Sequence, residues 1–418
     1  MGFCVVLCNT YPMRRFPYTV ALLAALLVVV TVVGAGSALA ATVENDPLQS
    51  VTVENDTVGR LAVPDTTTTG QRATADLSGA LAGDQQRVQT ALTAGAFRNA
   101  FESAPNESAK LAIVTDTLDR LETRATALRE DRQAAIQSFA RGDSTSDALF
   151  RKLARIQAAG EGIDERASVV ETTVQESTAV SLSERATRRL AGIDGAVVTL
   201  DGPLTDRLTN SVRGAAAPEA ISIECGESGA VFATIEGGTF VREATLWSER
   251  AESGANNFED GETAPLSMAY QRAREAYPWA VGNLVSGLSV TGFGESPIYG
   301  VRLTHSHGDL ETYLDGRTEN VFYEVQRLQL SSLPTEAVAT NTTDDLLIEV
   351  NATAVGPRAV TVRNATTGEE VIADITVGGA TANRSRIGSR LWLLETGTER
   401  TITARRPDGT TVSITIGA

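Results

Sequence analysis

The residue types best suited to chemistry in this chain gather in one stretch, THSHGDLETYLDG (304–316), which holds both of its histidines. His305 and His307 are two apart, and Asp309 and Glu311 continue the spacing. On a β-strand every second side chain shares a face. Two imidazoles and two carboxylates on one face could hold zinc and activate water, so a metal-dependent hydrolase using His305 and His307 is one reading. Walking the strand outward puts Tyr299, Val301, Leu303, His305 and His307 on the same side, which makes the imidazoles the emerging end of a core face. The pair Gly308–Asp309 reads as a turn that breaks the alternation and carries Asp309 and Glu311 off that face. With no other histidine to complete a zinc set, the expectation is a hairpin tip, with no catalytic residue, metal ligand or cofactor assigned.

Other signatures of chemistry are missing from the sequence. Neither Lys110 nor Lys152 follows a glycine-rich loop, and GFGESP (292–297) lacks the last glycine of a dinucleotide fingerprint. No H-E-x-x-H or G-x-S-x-G run occurs. The acidic loop NNFEDGE (256–262) invites a calcium reading, but an EF-hand register from Asn256 puts Phe258 third and Ser267 twelfth, where a bidentate glutamate belongs. It reads instead as a solvated acidic loop.

The N-terminus sets the compartment. Arg14 and Arg15 precede the apolar run TVALLAALLVVVTVV (19–33) and the small-residue end GAGSALA (34–40), the pattern of a secretory signal cleaved after Ala40. Met13 is the more natural start, and an uncleaved 19–41 would nearly span a bilayer. Cys4 and Cys8 leave with the leader, so Cys225, in the strand-like ISIEC, reads as a lone buried thiol. The chain carries 36 basic and 52 acidic residues, net −16, or −18 once the two leader arginines are gone. That balance argues against nucleic acid or an anionic membrane as partner, leaving membrane contact only through an uncleaved N-terminal segment. Only two of the basic residues are lysines. The low-lysine, Asp/Glu/Thr-rich surface resembles haloarchaeal proteins, whose acidic surfaces stay hydrated in concentrated salt. Six sequons follow the leader, at Asn55, Asn106, Asn341, Asn351, Asn364 and Asn383, each a glycosylation candidate in an exported chain.

Behind these residues the chain divides into a signal (1–40), a Thr/Asp-rich linker (41–75), a helical hairpin domain (76–190), an α+β domain (191–332), a second linker (333–345) and a β-sandwich (346–418). In the helical part, Leu111, Val114, Leu118, Leu121, Ala125, Leu128, Ala135 and Phe139 step by threes and fours, with Arg132 the single break. After the turn RGDSTS (141–146), Leu149, Leu153, Ile156, Gly160, Ile163, Ala167, Val170 and Val174 resume the pattern, which predicts an antiparallel coiled-coil hairpin. A third helix over about 84–103 could pack beside it. GAVFATIEGGTFVREATLW predicts a β-hairpin about Gly237–Gly238, and 264–280 a helix ended by Pro278. SGLSVTG, IYGVRLTH, LETYLDG and NVFYEVQRL then predict an antiparallel meander. Short strands at roughly ten-residue spacing close the chain as a sandwich.

Residues 264–330 resemble the PepSY domain, a cystatin-like α+β unit: an Ala-rich helix with a Tyr-Pro end, then strands finishing in TYLDGRTENVFYEV. Tyr313, Leu314, Asp315, Thr318 and Val321 fall at the places of that family's last hairpin, while Asn320 stands where it has glycine. The resemblance implies a non-catalytic extracytoplasmic module with no catalytic residues to carry over. VTVRNATTGEEVIADITVGG (360–379) resembles the carboxypeptidase regulatory-like, transthyretin-type sandwich. The whole order is similar to haloarchaeal secreted multidomain proteins of unknown function. The expected function is therefore a non-catalytic, exported modular protein that binds an extracytoplasmic protein or peptide in high salt. A structural envelope or adhesion component is the alternative beside the hydrolase.

Overall fold

The structure is a computed structural model that describes residues 51–259, 261–381, 386–387 and 390–417. The predicted signal (1–40) with Cys4 and Cys8, the start of the first linker and the sequon Asn383 lie outside the described residues.

Two short strands, β1 (Val51–Thr52) and β2 (Arg60–Leu61), pair with each other, and β3 (Thr67–Ala73) follows. Five helices come next: α1 (Leu77–Ser103), α2 (Glu107–Ala140), α3 (Ser146–Gln175), α4 (Glu184–Val197) and α5 (Pro203–Val212). Side-chain oxygens of Asp76, Asn106, Thr145 and Ser183 accept the backbone N–H groups of Gly79, Ala109, Ala148 and Ala186, which starts α1 to α4 by satisfying donors no helix can satisfy itself. α2 and α3 form the expected antiparallel hairpin, with 34 and 30 residues, or about 50 and 45 Å at 1.5 Å per residue. All eight apolar or small positions read into the α3 seam are buried. On α2 the seam holds through Leu128; Leu111 is exposed at the open end, and Ile136 is buried where Ala135 was expected. The seam's one break, Arg132, is itself buried.

Strands β4 (Glu219–Cys225), β5 (Gly229–Glu236) and β6 (Thr239–Leu246) lead to α6 (Pro265–Ala276), α7 (Pro278–Gly282), and the meander β7 (Leu284–Gly292), β8 (Ile298–His305), β9 (Gly308–Asp315) and β10 (Val321–Gln329). The predicted hairpin about Gly237–Gly238 and the four predicted meander strands form in the expected order. Pro278 ends α6 as expected, and it also opens the single turn of α7. All these strands and β3 join one eight-stranded antiparallel sheet, ordered β3-β4-β5-β6-β10-β9-β8-β7. Alternate residues face two cores. Ala230 and Phe232 of β5 and Val241 of β6 pack with Phe150, Leu153 and Leu208 of the helices. Val231, Ala233, Phe240 and Ala244 face Ala269 and Ala273 of α6, with Val58 and Leu61 of the N-terminal segment beside them. Both faces being covered explains why β5 and β6 are buried almost throughout.

Three boundaries differ from the expectation. The linker 41–75 contains β3, which completes the sheet edge, and β2, which lies against β10. Its polar composition hides this because Leu61 is held through its backbone, the N–H by Glu324 and the carbonyl by Arg242, both far along the chain. The boundary at 190/191 falls inside α4, and α5 still belongs to the helical layer. The linker 333–345 is mostly strand β11 (Glu336–Thr343), an exposed polar edge.

The C-terminal sandwich comprises β12 (Leu346–Ala352), β13 (Arg358–Asn364), β14 (Asp374–Val377), β15 (Ala380–Thr381), β16 (Arg386–Ile387), β17 (Arg390–Leu393), β18 (Arg400–Arg405) and β19 (Thr411–Ile416) together with β11. Its sheets, β11-β12-β13-β17-β16 and β15-β14-β18-β19, enclose Ile348, Val360, Leu391, Ile402 and Val412. Strand alternation turns Trp392 the other way, into the core with Phe240 and Leu328. The sandwich is therefore packed on the eight-stranded sheet. Among the described residues no helix is long and apolar enough to cross a membrane.

Candidate functional site

The opening quartet divides between the two faces of the β8–β9 hairpin. His305 pairs in register with Gly308 on the core side, whereas Thr304 pairs with Asp309 and Arg302 with Glu311 on the other. The tight turn is Ser306–His307, two residues earlier than the expected Gly308–Asp309. Asp309 Oδ1 accepts from Thr304 Oγ1 at 2.7 Å, and Glu311 Oε1 accepts from Arg302 Nη2 at 2.7 Å. The imidazoles instead flank Trp279 of α7, with ring centroids 5.5 and 4.5 Å away for His305 and His307. His305 Nδ1 accepts the His307 backbone N–H at 3.2 Å, and His307 Nδ1 meets Thr57 Oγ1 at 3.1 Å. Burial lowers His305 to about 4, helped by His307 and opposed by Asp309. His307 thus ties the N-terminal segment to the sheet end through Thr57, and His305 packs behind it against Trp279.

The acidic loop is likewise anchored in the core. Phe258 is fully buried beside Tyr299, ring centroids 5.1 Å apart, and Asn256 Nδ2 donates to Tyr299 Oη at 2.8 Å. Asp260 lies outside the described residues. Elsewhere Glu161, Asp201 and Asp206 bring carboxylate oxygens within 4.8 Å of one another at the α3–α5 contact, the one carboxylate grouping with cation-holding geometry found among the described residues. The buried Gln157 amide already donates to Asp206 there. Cys225 is buried as expected, and burial raises its thiol.

The sequons differ in what their amides do. Asn55 is exposed, and Asn106 is exposed with its Oδ1 serving as the α2 cap. Asn341 Nδ2 donates to Ser413 O at 2.6 Å, Asn351 Nδ2 to Glu349 Oε1 at 2.7 Å and Asn364 Nδ2 to Asp345 Oδ2 at 3.3 Å.

The site that the sequence did not disclose is a cleft of about 620 Å³ where α2 and α4 meet the sheet. One wall is helical, with Glu122, Thr126, Arg129, Arg132 and Gln133 from α2 and Arg189, Gly192 and Ala196 from α4. The other comes from the sheet side, with Thr245, Trp247, Arg250, Glu252, Pro297, Arg317 and Phe322. Two of its five arginines are neutralised: Arg132 by Glu243 at 3.2 Å, and Arg189 by Glu122 at 2.7 Å and Asp119 at 2.5 Å. Arg129, Arg250 and Arg317 have no ion-pair partner within 4.0 Å among the described residues. Arg317 is aimed by donating Nε to Gly254 O and Nη1 to Ala251 O, both at 3.1 Å. Arg250 lies over the Phe322 ring, 5.2 Å from its centroid, a placement that suits a weakly hydrated guanidinium. Arg129 donates Nη2 to Thr126 Oγ1 at 3.3 Å, while its Nε is buried without a hydrogen-bond partner. Burial first, then Arg129, with Arg317 adding and Asp315 opposing, lowers Arg250 to about 9. Burial also lowers Arg129, against the pull of Glu130 and Glu252. The charges of Arg129 and Arg317 thus both act against that of Arg250, an arrangement that favours an anion beside them. The three come from distant segments, so no local motif announces them; the sole trace in the sequence was Arg132 interrupting an apolar seam.

Five helices laid on one face of a mixed-origin antiparallel sheet, followed by a sandwich, make this a multidomain α plus β protein. A domain of unknown function (DUF7096) matches residues 13–217, a family of unknown function (DUF7094) matches 221–334, and an archaeal fibronectin-III type-like domain matches 337–413. The chain is thus an archaeal multidomain protein whose last module is a fibronectin-III type-like sandwich that includes β11. No curated protein and no solved structure matches it. The junction between the first two matches runs through the sheet, which takes β3 from one and β4 to β10 from the other. The cleft straddles the same junction, its helical wall in 13–217 and its sheet wall in 221–334.

Proposed function

We propose that this chain is an exported, non-catalytic modular protein that binds a protein or peptide partner outside the cell, in concentrated salt. The observation that carries the reading is the cleft itself, walled by both the helical arm and the α+β sheet. Such a site would hold a partner where two modules meet. The signal-like N-terminus, the acidic surface and the sequons support an outward-facing location, with Asn55 and Asn106 the sequons best placed for glycans. The PepSY-like order of 264–330 supports a binding role, since that module is associated with inhibition or regulation; residues 360–379, read from sequence as transthyretin-type, fall instead within the fibronectin-III type-like match.

The test is affinity capture from native cell envelopes at molar salt using the full chain. It is run in parallel with a Thr126→Cys variant carrying a bulky maleimide, since Thr126 is an exposed residue of the cleft wall. A discrete partner captured by the unmodified chain and lost from the blocked one is expected. Capture indifferent to the block, or hydrolytic turnover by the purified chain, would remove the reading.

A further inference from the structure

A cleft with three unpaired guanidiniums is unusual in a chain whose acids outnumber its bases 52 to 36. A fully solvated basic patch would attract an anion only weakly in concentrated salt, where the screening length falls to about 3 Å and exposed charges hardly interact. These guanidiniums are not simply solvated. Arg250 lies against Phe322, Arg317 is fixed by two backbone carbonyls, and Arg129 turns a buried, partnerless Nε to its surroundings. Partial burial protects their interactions from screening, and planar, pre-set forks suit a planar or tetrahedral oxyanion.

Charge and size narrow the class. Glu122, Glu130, Glu252 and Glu295 stand in the same lining. They repel nucleic acid or any other polyanion, and the Asp315 carboxylate already acts on Arg250. One negative charge fits better than several. The volume of about 620 Å³ far exceeds a lone ion, and Trp247, Pro297, Phe322 and Ala196 give apolar surface beside the arginines. The Trp247 ring is held by its Nε1 donating to Glu227 O at 2.8 Å. We infer that the cleft is a carboxylate receptor in which Arg129, Arg250 and Arg317 clasp a single carboxylate of a peptide while Trp247 and Phe322 take the apolar side chain next to it. The inference rests on the binding reading above and names the group recognised.

Peptide carboxylates come from a free C-terminus or from an acidic side chain, and the probes separate them. Binding to the full chain at molar salt is followed by fluorescence anisotropy. The probes are a peptide with an apolar C-terminal residue as the free acid, its C-terminal amide, and that amide carrying one internal aspartate next to an apolar residue; inorganic phosphate is the competitor. One of the two carboxylate peptides should bind at least tenfold more tightly than the plain amide, about what one charge-assisted contact is worth. Arg250→Gln and, independently, Arg129→Gln should each weaken that binding roughly tenfold without changing the melting temperature. Arg250→Lys should restore only part of it, because a point charge lacks the fork. Equal binding of the plain amide, no binding by any peptide, indifference to both substitutions, or displacement by phosphate at lower concentration than by the peptide itself would overturn the inference. Partner capture that is lost on blocking Thr126→Cys but survives both arginine substitutions would overturn it alone and leave the binding reading standing. Carboxylate-specific peptide binding without any captured partner would do the reverse.

Discussion

Arg132 of α2 and Glu243 of β6 form a buried ion pair, Nη2 to Oε1 3.2 Å, that joins the helical hairpin to the middle of the sheet. The same carboxylate accepts the Leu204 N–H at 3.1 Å and the Thr205 hydroxyl at 3.3 Å, so it also seats the start of α5. Arg132 Nη1 donates to Thr245 Oγ1 at 3.1 Å. Gly202 is required beside it, since a Cβ there would collide with the Glu243 carboxylate. Arg132 and Thr245 both line the cleft, so this network ties its helical wall to its sheet wall.

Removing one partner of a buried pair leaves the other charged and desolvated. Arg132→Ala should therefore cost about 3–5 kcal/mol of stability, whereas Arg132→Met with Glu243→Leu should recover most of the loss. Denaturant unfolding at fixed salt measures both. A loss under about 1 kcal/mol in the single variant would show that the pair does not hold the layers together.

A second buried carboxylate, Glu324 of β10, faces the opposite side and fastens the N-terminal segment. It accepts from Leu61 N at 2.7 Å, Tyr277 Oη at 2.6 Å and Arg242 Nη1 at 2.5 Å, while Arg242 Nη2 donates to Leu61 O at 2.6 Å. Tyr277→Phe should cost about 1.5–3 kcal/mol, the range for a hydrogen bond to a charged group. Leu61→Ala should cost about 2–5 kcal/mol and speed proteolytic cleavage within 51–63. Unchanged cleavage in the leucine variant would mean that the strap is held elsewhere.

The histidine pair predicts a pH dependence. The unfolded His305 titrates near 6.5, whereas burial lowers the folded residue to about 4, and burial lowers His307 as well. Between these values the unfolded chain binds more protons, so the contribution of neutral His305 is full above pH 6.5 and declines as pH falls toward 4. Its ceiling is about 3 kcal/mol at 1.36 kcal/mol per pH unit. The slope of stability against pH over that window should be shallower in His305→Phe than in the natural chain, and identical slopes would refute the assignment.

Phe258 gives the acidic loop its structural role. Phe258→Ala should cost about 3–5 kcal/mol because the side chain is fully buried in a close-packed core. Thermal unfolding read with and without added calcium checks this alongside the loop's charge, and the loss should persist at any calcium concentration. Rescue by calcium would revive the ion-binding reading of 256–262.

The sequence by itself determined the elements. The three-and-four stepping from Leu149 to Val174 specified α3, and the alternation of Ile298 to His305 specified β8 to the residue. Both follow from local periodicity, which a chain expresses wherever one face must be buried. It also showed that His305 and Asp309 would part company, since a hairpin turn reverses the alternation. What only the tertiary structure decided was pairing between distant segments. The Thr-rich stretch 67–73 became a sheet edge because β4 offered it backbone partners, and Arg132 proved a tie to Glu243 instead of a flaw in a seam. Arg129, Arg250 and Arg317 carry no local pattern at all. They become a site only because the helices dock on the sheet, and docking depends on buried contacts between residues far apart in the chain, which no local spacing records.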